Sequence, residues 1–457
     1  MQPKQHIFRE YDIRGVVEDD LSGAVPGLIG RAYGTALRRS EGGVERPTVV
    51  VGRDNRPSSP NLAAEIISGL RATGVNVIDI GVVPTPVLYF ATVYLETDGG
   101  LQITGSHNPP EYNGIKMMLG DGALYGEAIQ DLRRLIEAKD FESGEGGLEE
   151  RDVIPAYIED VTSRFTLERP VKVVVDCGNG VGSLVAVELL EGIGAEVLPL
   201  YCESDGTFPN HHPDPTVDEY IQDMIELVRS EGADLGVAFD GDADRLGAVD
   251  ENGTIIRGDI LLLLFGLDIL ERRGAGQEMI FDVKCSQAVP EVFEAEGGKA
   301  VMWKTGHSLI KERMRETNAP IAGELSGHIC FSDDFYGFDD APYAACRLVD
   351  LVARSTEPLS ERVARFPDYI STPEIRVEVT EEEKFDIVAR AVEEFQKDYE
   401  VIDVDGARVL FDDGWGLLRA SNTQPVLVLR YEAKTNEGLE EIRAVIEGWL
   451  QREGISV

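Results

Sequence analysis

A strand–helix–strand unit recurs three times along most of this chain. Each copy has an apolar strand, a polar turn, an amphipathic helix that ends at glycine and a second strand, and the copies begin with 48–54, 171–180 and 278–286. The starts lie about 110 to 120 residues apart, which is an ordinary domain size. The recurrence therefore predicts three similar α/β domains, each built on a parallel or mixed sheet.

The final segment has a different pattern and predicts a smaller α+β domain. Strand-like runs alternate there with helical patterns at 381–397 and 439–452. Segments rich in Gly, Glu or turn residues, at 142–152, 250–259 and 365–374, separate these regions. The predicted domains are domain I, 1–152; domain II, 153–255; domain III, 256–368; and domain IV, 369–457.

Charge and cysteine content restrict the class of protein. The chain has 83 Asp and Glu against 43 Lys and Arg, a net charge of −40, so nucleic acid and anionic membranes would be repelled. Five scattered cysteines without a C-x-x-C pair, and no apolar signal or membrane segment, predict a reducing cytoplasm without disulfides. The basic residues are 32 Arg and only 11 Lys, which favours a high-salt source. The oligomeric state stays open.

The stretch LQITGSHNPPEYNGIK, residues 101–116, places a serine hydroxyl after a short strand. Gly105 is expected to permit the turn, and the prolines at 109 and 110 end the strand. Ser106 is therefore a candidate nucleophile or phosphoryl carrier on a rigid loop. Ser, His and Asn are also ordinary turn residues, so the motif alone leaves a purely structural role open.

A second loop carries three carboxylates at alternate positions. The apolar strand LGVAF runs directly into Asp240, Asp242 and Asp244, and Arg245 follows. A divalent cation relieves the repulsion in so short a loop, and Mg²⁺ tolerates a partial cage that leaves room for a phosphoryl oxygen. The loop is not an EF-hand, because Arg245 stands where glycine would be required. An acidic solvated turn is the structural alternative.

Candidate ligands for a sugar phosphate lie in two later loops. RASNT at 419–423 offers a guanidinium and neutral donors for a phosphate dianion, although alone it could be any polar hairpin loop. GELSGHI at 323–329 places a carboxylate and a hydroxyl two residues apart, which suits sugar hydroxyls. Lys284 and His307 follow other strands.

Taken together, five ordered motifs resemble the α-D-phosphohexomutase superfamily, and most closely its phosphomannomutase/phosphoglucomutase branch. They are YDIRG (11–15), TGSHNP (104–109), DGDADR (240–245), GELSGH (323–328) and RASNTQP (419–425). Ala243 stands where the family usually has glycine, and Leu325 where methionine is common. Neither replaces a ligating group, but the second makes the sugar preference less certain.

The resemblance implies a four-domain enzyme whose domains face one central cleft. Ser106 would be the phosphoserine and would complete a Mg²⁺ site formed by Asp240, Asp242 and Asp244. Substrate contacts would come from Tyr11, Arg14, Lys284, His307, Glu324, Ser326 and His328. The phosphate that does not react would be held by Arg419, Ser421, Asn422 and Thr423.

The implied reaction interconverts hexose 1-phosphate and hexose 6-phosphate, of mannose and/or glucose, through a hexose 1,6-bisphosphate intermediate. Phosphoryl transfer needs charge neutralisation, to which Arg245 would contribute, and in-line placement of the acceptor hydroxyl. Lys116, His107 and His328 are candidates for moving its proton, with Lys116 preferred. A phosphoglucosamine mutase, a Ser/His hydrolase and a non-catalytic sugar-phosphate sensor are the alternative functions.

Overall fold

The computed structural model describes residues 3–40, 44–120, 122–422 and 424–457. These residues form two compact units. The first unit runs to Gly258 and includes Ser326–Ser360, and the second comprises Asp259–Leu325 and Glu361–Val457. No described helix is long and apolar enough to cross a lipid bilayer.

The first sheet of the first unit has the strand order β1-β5-β4-β2-β3-β7, and β6 pairs with β5. Strands β2, β3, β4 and β7 run parallel, whereas β5 is antiparallel to β4 and β1. The elements are β1 (Ile13–Val16), α1 (Val17–Asp20), α2 (Val25–Arg39), β2 (Thr48–Arg53), α3 (Ser59–Arg71), β3 (Asn76–Val82), α4 (Thr85–Tyr94), β4 (Gly99–Ile103), β5 (Tyr112–Leu119), β6 (Gly122–Ala123), α5 (Glu127–Ala138) and β7 (Leu148–Glu150).

The separator at 142–152 contributes β7 to this sheet, which its composition does not predict. Its glycines serve close packing: a Cβ on Gly146 would lie 1.8 Å from the Val75 carbonyl oxygen. The Gly146 amide donates to the Arg71 carbonyl, and β7 pairs with β3 from Val77 to Asp79. The glycines therefore allow the segment to dock on the sheet.

The second sheet has the order β12-β11-β10-β8-β9, with β8, β9 and β10 parallel and β11 antiparallel. Strands β8 and β10 read as continuous apolar runs because helices cover the sheet, with α8 on β8 and β10. The elements are α6 (Ile154–Thr162), β8 (Lys172–Asp176), α7 (Ala186–Ile193), β9 (Glu196–Leu200), α8 (Gln222–Glu231), β10 (Leu235–Phe239), β11 (Leu246–Asp250) and β12 (Ile255–Ile256).

The third recurrence lies in the second unit, where β13 is flanked by the parallel strands β14 and β15. Its elements are α9 (Gly258–Arg273), β13 (Glu278–Asp282), α10 (Ala288–Ala295), β14 (Lys299–Trp303), α11 (His307–Thr317) and β15 (Ile321–Gly323). The chain then contributes β16 (Ile329–Phe331) and α12 (Ala341–Ala353) to the first unit, where α12 packs on α7 and β11. α13 (Leu359–Val363) follows.

The C-terminal sheet is antiparallel, with the order β17-β22-β21-β20-β19 and β18 paired to β22. Helices α14 and α15 pack on β21. The predicted last helix starts earlier, at Asn436, because the Thr435 side chain caps it by accepting from the Gly438 amide. The elements are β17 (Ile370–Ser371), β18 (Ile375–Glu378), α14 (Lys384–Phe395), β19 (Glu400–Ile402), β20 (Ala407–Phe411), β21 (Gly414–Ala420), β22 (Val426–Ala433) and α15 (Asn436–Arg452).

Candidate active site

Ser106 lies in the loop after β4, and its backbone is unusual. Its φ is +48°, a left-handed conformation that is costly for a residue other than glycine. The Ser106 amide donates to Thr104 Oγ1 over 2.9 Å, which helps to hold this conformation. Gly105, expected to make the turn, instead makes room: a Cβ there would lie 2.5 Å from the guanidinium of Arg56.

Arg56 fixes the loop that carries Ser106 through hydrogen bonds to its backbone carbonyls. Its side chain is fully buried and donates to the carbonyls of Ser106 and Asn108, over 2.7 and 2.5 Å, and to those of Pro109 and Tyr112. Asp54 accepts from the Arg56 Nε and from the Gly105 amide. The sequence does not predict this pair, because nothing in GRDNRP (52–57) indicates that Arg56 reaches a loop some 50 residues further along.

The three aspartates between β10 and β11 lie together in the first unit. Asp240, Asp242 and Asp244 are fully buried, and one carboxylate oxygen from each lies within 4.8 Å of the others. Asp240 Oδ2 accepts from the Ser106 hydroxyl over 2.9 Å, so serine and carboxylates form one site. Gly241 permits this approach, since a Cβ there would lie 2.5 Å from the Ser106 carbonyl oxygen.

The remaining carboxylate contacts leave two oxygens for a cation. Asp242 Oδ2 accepts from Lys116 over 2.8 Å and from Thr85, and Asp244 Oδ2 contacts Lys116. Asp242 Oδ1 and Asp244 Oδ1 are buried and have no hydrogen-bond partner within the described residues. Oxygen-only donors with two unsatisfied buried carboxylate oxygens fit Mg²⁺.

The close packing of the three aspartates and Lys116 shifts the pKa values of Asp240, Asp242 and Lys116. Burial, together with Asp242 and Asp244, holds the pKa of Asp240 well above its ordinary value. Burial also works to raise the pKa of Asp242, but the Lys116 ammonium outweighs it and the Asp242 pKa is lowered. The same aspartates raise the pKa of Lys116 despite its burial. These contacts stabilise the positively charged form of Lys116.

Two histidines and an arginine border the carboxylates. Nδ1 of His107 is 3.1 Å from the Ser106 hydroxyl, and burial, then Arg245 and Arg14, keeps the His107 pKa well below its ordinary value. Arg245 Nε donates to His328 Nε2 over 3.0 Å, while His328 Nδ1 lies 3.0 Å from Asp339 Oδ2. This arrangement places the proton of a neutral His328 on Nδ1.

The other predicted residues of the first unit lie at its strand ends. Arg14 is on β1, 2.5 Å from Asp12, and Tyr11 precedes that strand. Both side chains are half-buried, as is that of Ser326, the residue at which the chain re-enters the first unit.

The second unit holds the remaining predicted binding residues. Lys284 follows β13 and donates to Glu374 over 2.8 Å; Glu324, at the end of β15, accepts from the Gly306 amide beside His307. Arg419 is the penultimate residue of β21 and donates to Asp405, whose carboxylate also accepts from the Thr305 amide. Asp405 and Glu374 escaped sequence analysis. Ser421 and Asn422 follow Arg419, and Thr423 lies outside the described residues.

Models of four domains from one protein family match nearly the whole chain. The phosphoglucomutase/phosphomannomutase descriptions match in order: α/β/α domain I at residues 5–143, domain II at 155–253, domain III at 257–369 and the C-terminal domain at 374–448. The chain belongs to the phosphoglucomutase/phosphomannomutase family. The predicted superfamily and fold class, with three α/β domains and a smaller C-terminal domain, are confirmed. The proposed domain boundaries and the single cleft stay predictions.

Relatives within the family are similar over their full length. The chain is 49% identical to a phosphomannomutase/phosphoglucomutase of Pseudomonas aeruginosa over 97% of this chain and 95% of the relative. It is 45% identical to a phosphoglucomutase of Neisseria gonorrhoeae, covering 96% of each. The crystal structure of a family protein from Burkholderia thailandensis has a TM-score of 0.91 at 42% identity and covers 99% of this chain and 98% of that one. The predicted enzyme class, an intramolecular phosphotransferase, is confirmed over the hydrolase and sensor alternatives.

Proposed function

We propose that this phosphohexomutase interconverts the 1- and 6-phosphates of mannose and/or glucose through a phosphoserine at Ser106 and a hexose 1,6-bisphosphate. The observation that carries the proposal is the 2.9 Å hydrogen bond from the Ser106 hydroxyl to Asp240, at the edge of the buried carboxylate cluster. A phosphoryl group on Ser106 would lie beside that cluster. The names of the Pseudomonas and Neisseria relatives support mannose and glucose phosphates as substrates.

Asp240, Asp242 and Asp244 would hold Mg²⁺, with an oxygen of phosphorylated Ser106 as a further ligand. Bound there, the ion would neutralise charge on the transferred phosphoryl group. The unsatisfied oxygens of Asp242 and Asp244 support this assignment.

The protein's own groups would supply the rest of the chemistry. Arg56 and the Thr104 hydroxyl hold the Ser106 backbone in one orientation, so that the serine oxygen needs no reorganisation before transfer. Arg245 and Lys116 place positive charge around the reacting oxygens. Lys116 stays a candidate for moving the acceptor's proton, but its two carboxylate contacts favour His107 for this step. In a neutral His328 both ring nitrogens are already occupied, because Nδ1 carries the proton and Nε2 accepts from Arg245.

Recognition of the substrate would use two groups of side chains. Tyr11, Arg14, Lys284, His307, Glu324, Ser326 and His328 would contact the sugar phosphate. Arg419, Ser421, Asn422 and Thr423 would hold the phosphate that is not reacting. Because the bisphosphate must present each phosphate to Ser106 in turn, this clamp has to accept either end of the sugar. Small-molecule sugar phosphates are the proposed partners, and free cysteines fit a cytoplasmic enzyme.

A coupled assay of mannose 1-phosphate, glucose 1-phosphate and glucosamine 1-phosphate, with Mg²⁺ and catalytic glucose 1,6-bisphosphate, tests the function. We expect turnover of the first two, and loss of nearly all turnover in Ser106→Ala. Intact mass should show one added phosphoryl group on the wild type and none on the variant. A dominant rate with glucosamine 1-phosphate would instead indicate a phosphoglucosamine mutase, and full activity of Ser106→Ala would refute the phosphoserine.

A further inference from the structure

Cys177 and Cys202 meet at the carboxyl ends of two neighbouring parallel strands. Cys177 follows the last residue of β8, Cys202 lies two residues beyond β9, and their Sγ atoms are 3.2 Å apart. A disulfide has an S–S distance of about 2.05 Å, so a closing movement of about 1 Å would join them. We propose that these cysteines are a redox modification site, oxidised by peroxides to a reversible disulfide that lowers the mutase activity.

The two thiols differ in access, which defines their roles. Cys177 is fully buried, whereas Cys202 is half-buried and can be reached by a small oxidant. The hydrogen bond with Cys177 lowers the pKa of Cys202, and the same contact raises the pKa of Cys177. A thiolate is the reactive form of cysteine, so Cys202 is the sulfur that meets the oxidant.

The oxidation balances with hydrogen peroxide as the oxidant. The Cys202 thiolate attacks one peroxide oxygen, an S–O bond forms as the O–O bond breaks, and the departing hydroxide takes a proton to become water. The Cys177 sulfur then attacks the Cys202 sulfenic acid. The S–S bond forms, the S–O bond breaks, and the thiol proton leaves with the hydroxide as a second water. Two electrons pass from the sulfurs to the peroxide, and a dithiol reductant returns them.

The loop after Cys177 connects this pair to the catalytic loops. The Val181 amide donates to the carbonyl of Gly241, between the first two aspartates, over 3.1 Å. The Asn179 carbonyl accepts from the Asn55 side chain over 2.8 Å, and Asn55 precedes the Arg56 that holds the serine loop. A shift of about 1 Å at a catalytic site can reduce turnover by up to about 100-fold, so disulfide closure is expected to slow the reaction.

The test uses the full-length, reduced protein treated with hydrogen peroxide. We expect thiol titration under denaturing conditions to fall from five thiols to three, and peptide mapping to find a cross-link between Cys177 and Cys202. Turnover should fall about tenfold and return with dithiothreitol. Cys202→Ser should keep its own initial rate after peroxide, whereas the control Cys346→Ala, changed in α12, should respond like the wild type.

Three results would overturn the proposal: five titratable thiols after peroxide, a cross-link at another cysteine, or a Cys177–Cys202 cross-link without loss of turnover. If Cys202→Ser folds poorly, the variant Cys177→Ala takes its place in the comparison, because it removes the same cross-link. The effect on turnover rests on the proposed function, but the thiol count and the cross-link do not. A failed mutase assay would therefore leave the chemistry of the pair separately measurable.

Discussion

The guanidinium of Arg56 donates to the carbonyl oxygen of Ser106 over 2.7 Å, from a side chain that is fully buried. The same group binds further carbonyls of the loop, so one buried cation fixes the backbone of the proposed phosphoserine.

Arg56→Lys should lower kcat by about tenfold to 100-fold, because an ammonium cannot reproduce the planar fork that spans these carbonyls. KM should change much less, since Arg56 is buried and its donors are used by Asp54 and by the loop carbonyls. Steady-state kinetics would show this. Arg53→Lys, a partly exposed residue on β2 paired with Asp79, is the matched control and should retain wild-type kcat. Equal kcat in both variants would contradict the positioning role.

Lys116→Met should lower kcat but tighten Mg²⁺ binding by about tenfold, because it removes a cation that competes for Asp242 and Asp244. Asp242→Asn should weaken Mg²⁺ binding, since it removes a ligand charge. Isothermal titration calorimetry of each variant with Mg²⁺ measures the binding affinity and separates these effects. Weaker Mg²⁺ binding in Lys116→Met would show that the lysine organises the site for the ion.

Asp405→Asn should raise KM by about tenfold with little change in kcat. Asp405 accepts from Arg419 Nε and from the Thr305 amide, so it orients the arginine of the proposed phosphate clamp. That clamp binds a phosphate that does not react, and uniform binding affects KM. The control Asp403→Asn changes a neighbouring carboxylate. A fall in kcat at unchanged KM would place Asp405 in the chemical step.

Glu374 should make the stability of the second unit sensitive to acid. The Lys284 ammonium, 2.8 Å away, lowers the pKa of Glu374 from 4.5 to about 2. Because the folded-state pKa is below the unfolded one, the stabilisation is complete above pH 4.5 and is lost as the pH falls towards about 2.

The loss amounts to about 3 kcal/mol at most, and less after solvent screening of the partly exposed Glu374 side chain. Urea unfolding at pH 6 and pH 3 would measure it for wild type and Glu374→Gln. The variant should show a smaller decrease between the two pH values. An identical decrease would mean that Lys284 does not stabilise the ionised Glu374.

Ala243→Gly should leave the thermal unfolding midpoint almost unchanged. Ala243 has a φ of +60°, which glycine adopts without strain, and this gain offsets the lost methyl packing and the greater freedom of the unfolded chain. Ala345→Gly, a buried position inside α12, has no such gain and should cost about 1 kcal/mol or more. Calorimetry of both variants gives the comparison, and equal losses would exclude strain at Ala243.

Most strands, and the loops that carry Ser106 and the three aspartates, could be predicted because their signals are local. An apolar run such as LGVAF becomes β10, and the acidic residues at its end must lie at the edge of the sheet. Contacts between residues far apart in the sequence could not be predicted. Asp54 and Arg56 serve a loop encoded about 50 residues later, and Glu374 meets Lys284 across 90 residues. No periodicity in one sequence marks such pairs.

The cysteines are another case in which the sequence does not show which distant residues meet. Their scattered spacing gave no reason to pair any two, yet parallel pairing of β8 with β9 brings Cys177 against Cys202.

The left-handed backbone of Ser106 also restricts which hydroxyl amino acid could replace the proposed phosphoserine. Threonine accepts phosphate as readily as serine does, but its branched Cβ strongly disfavours a positive φ. Exchange between the two alcohols, which many phosphorylation sites tolerate, is therefore disfavoured at the proposed site by main-chain geometry.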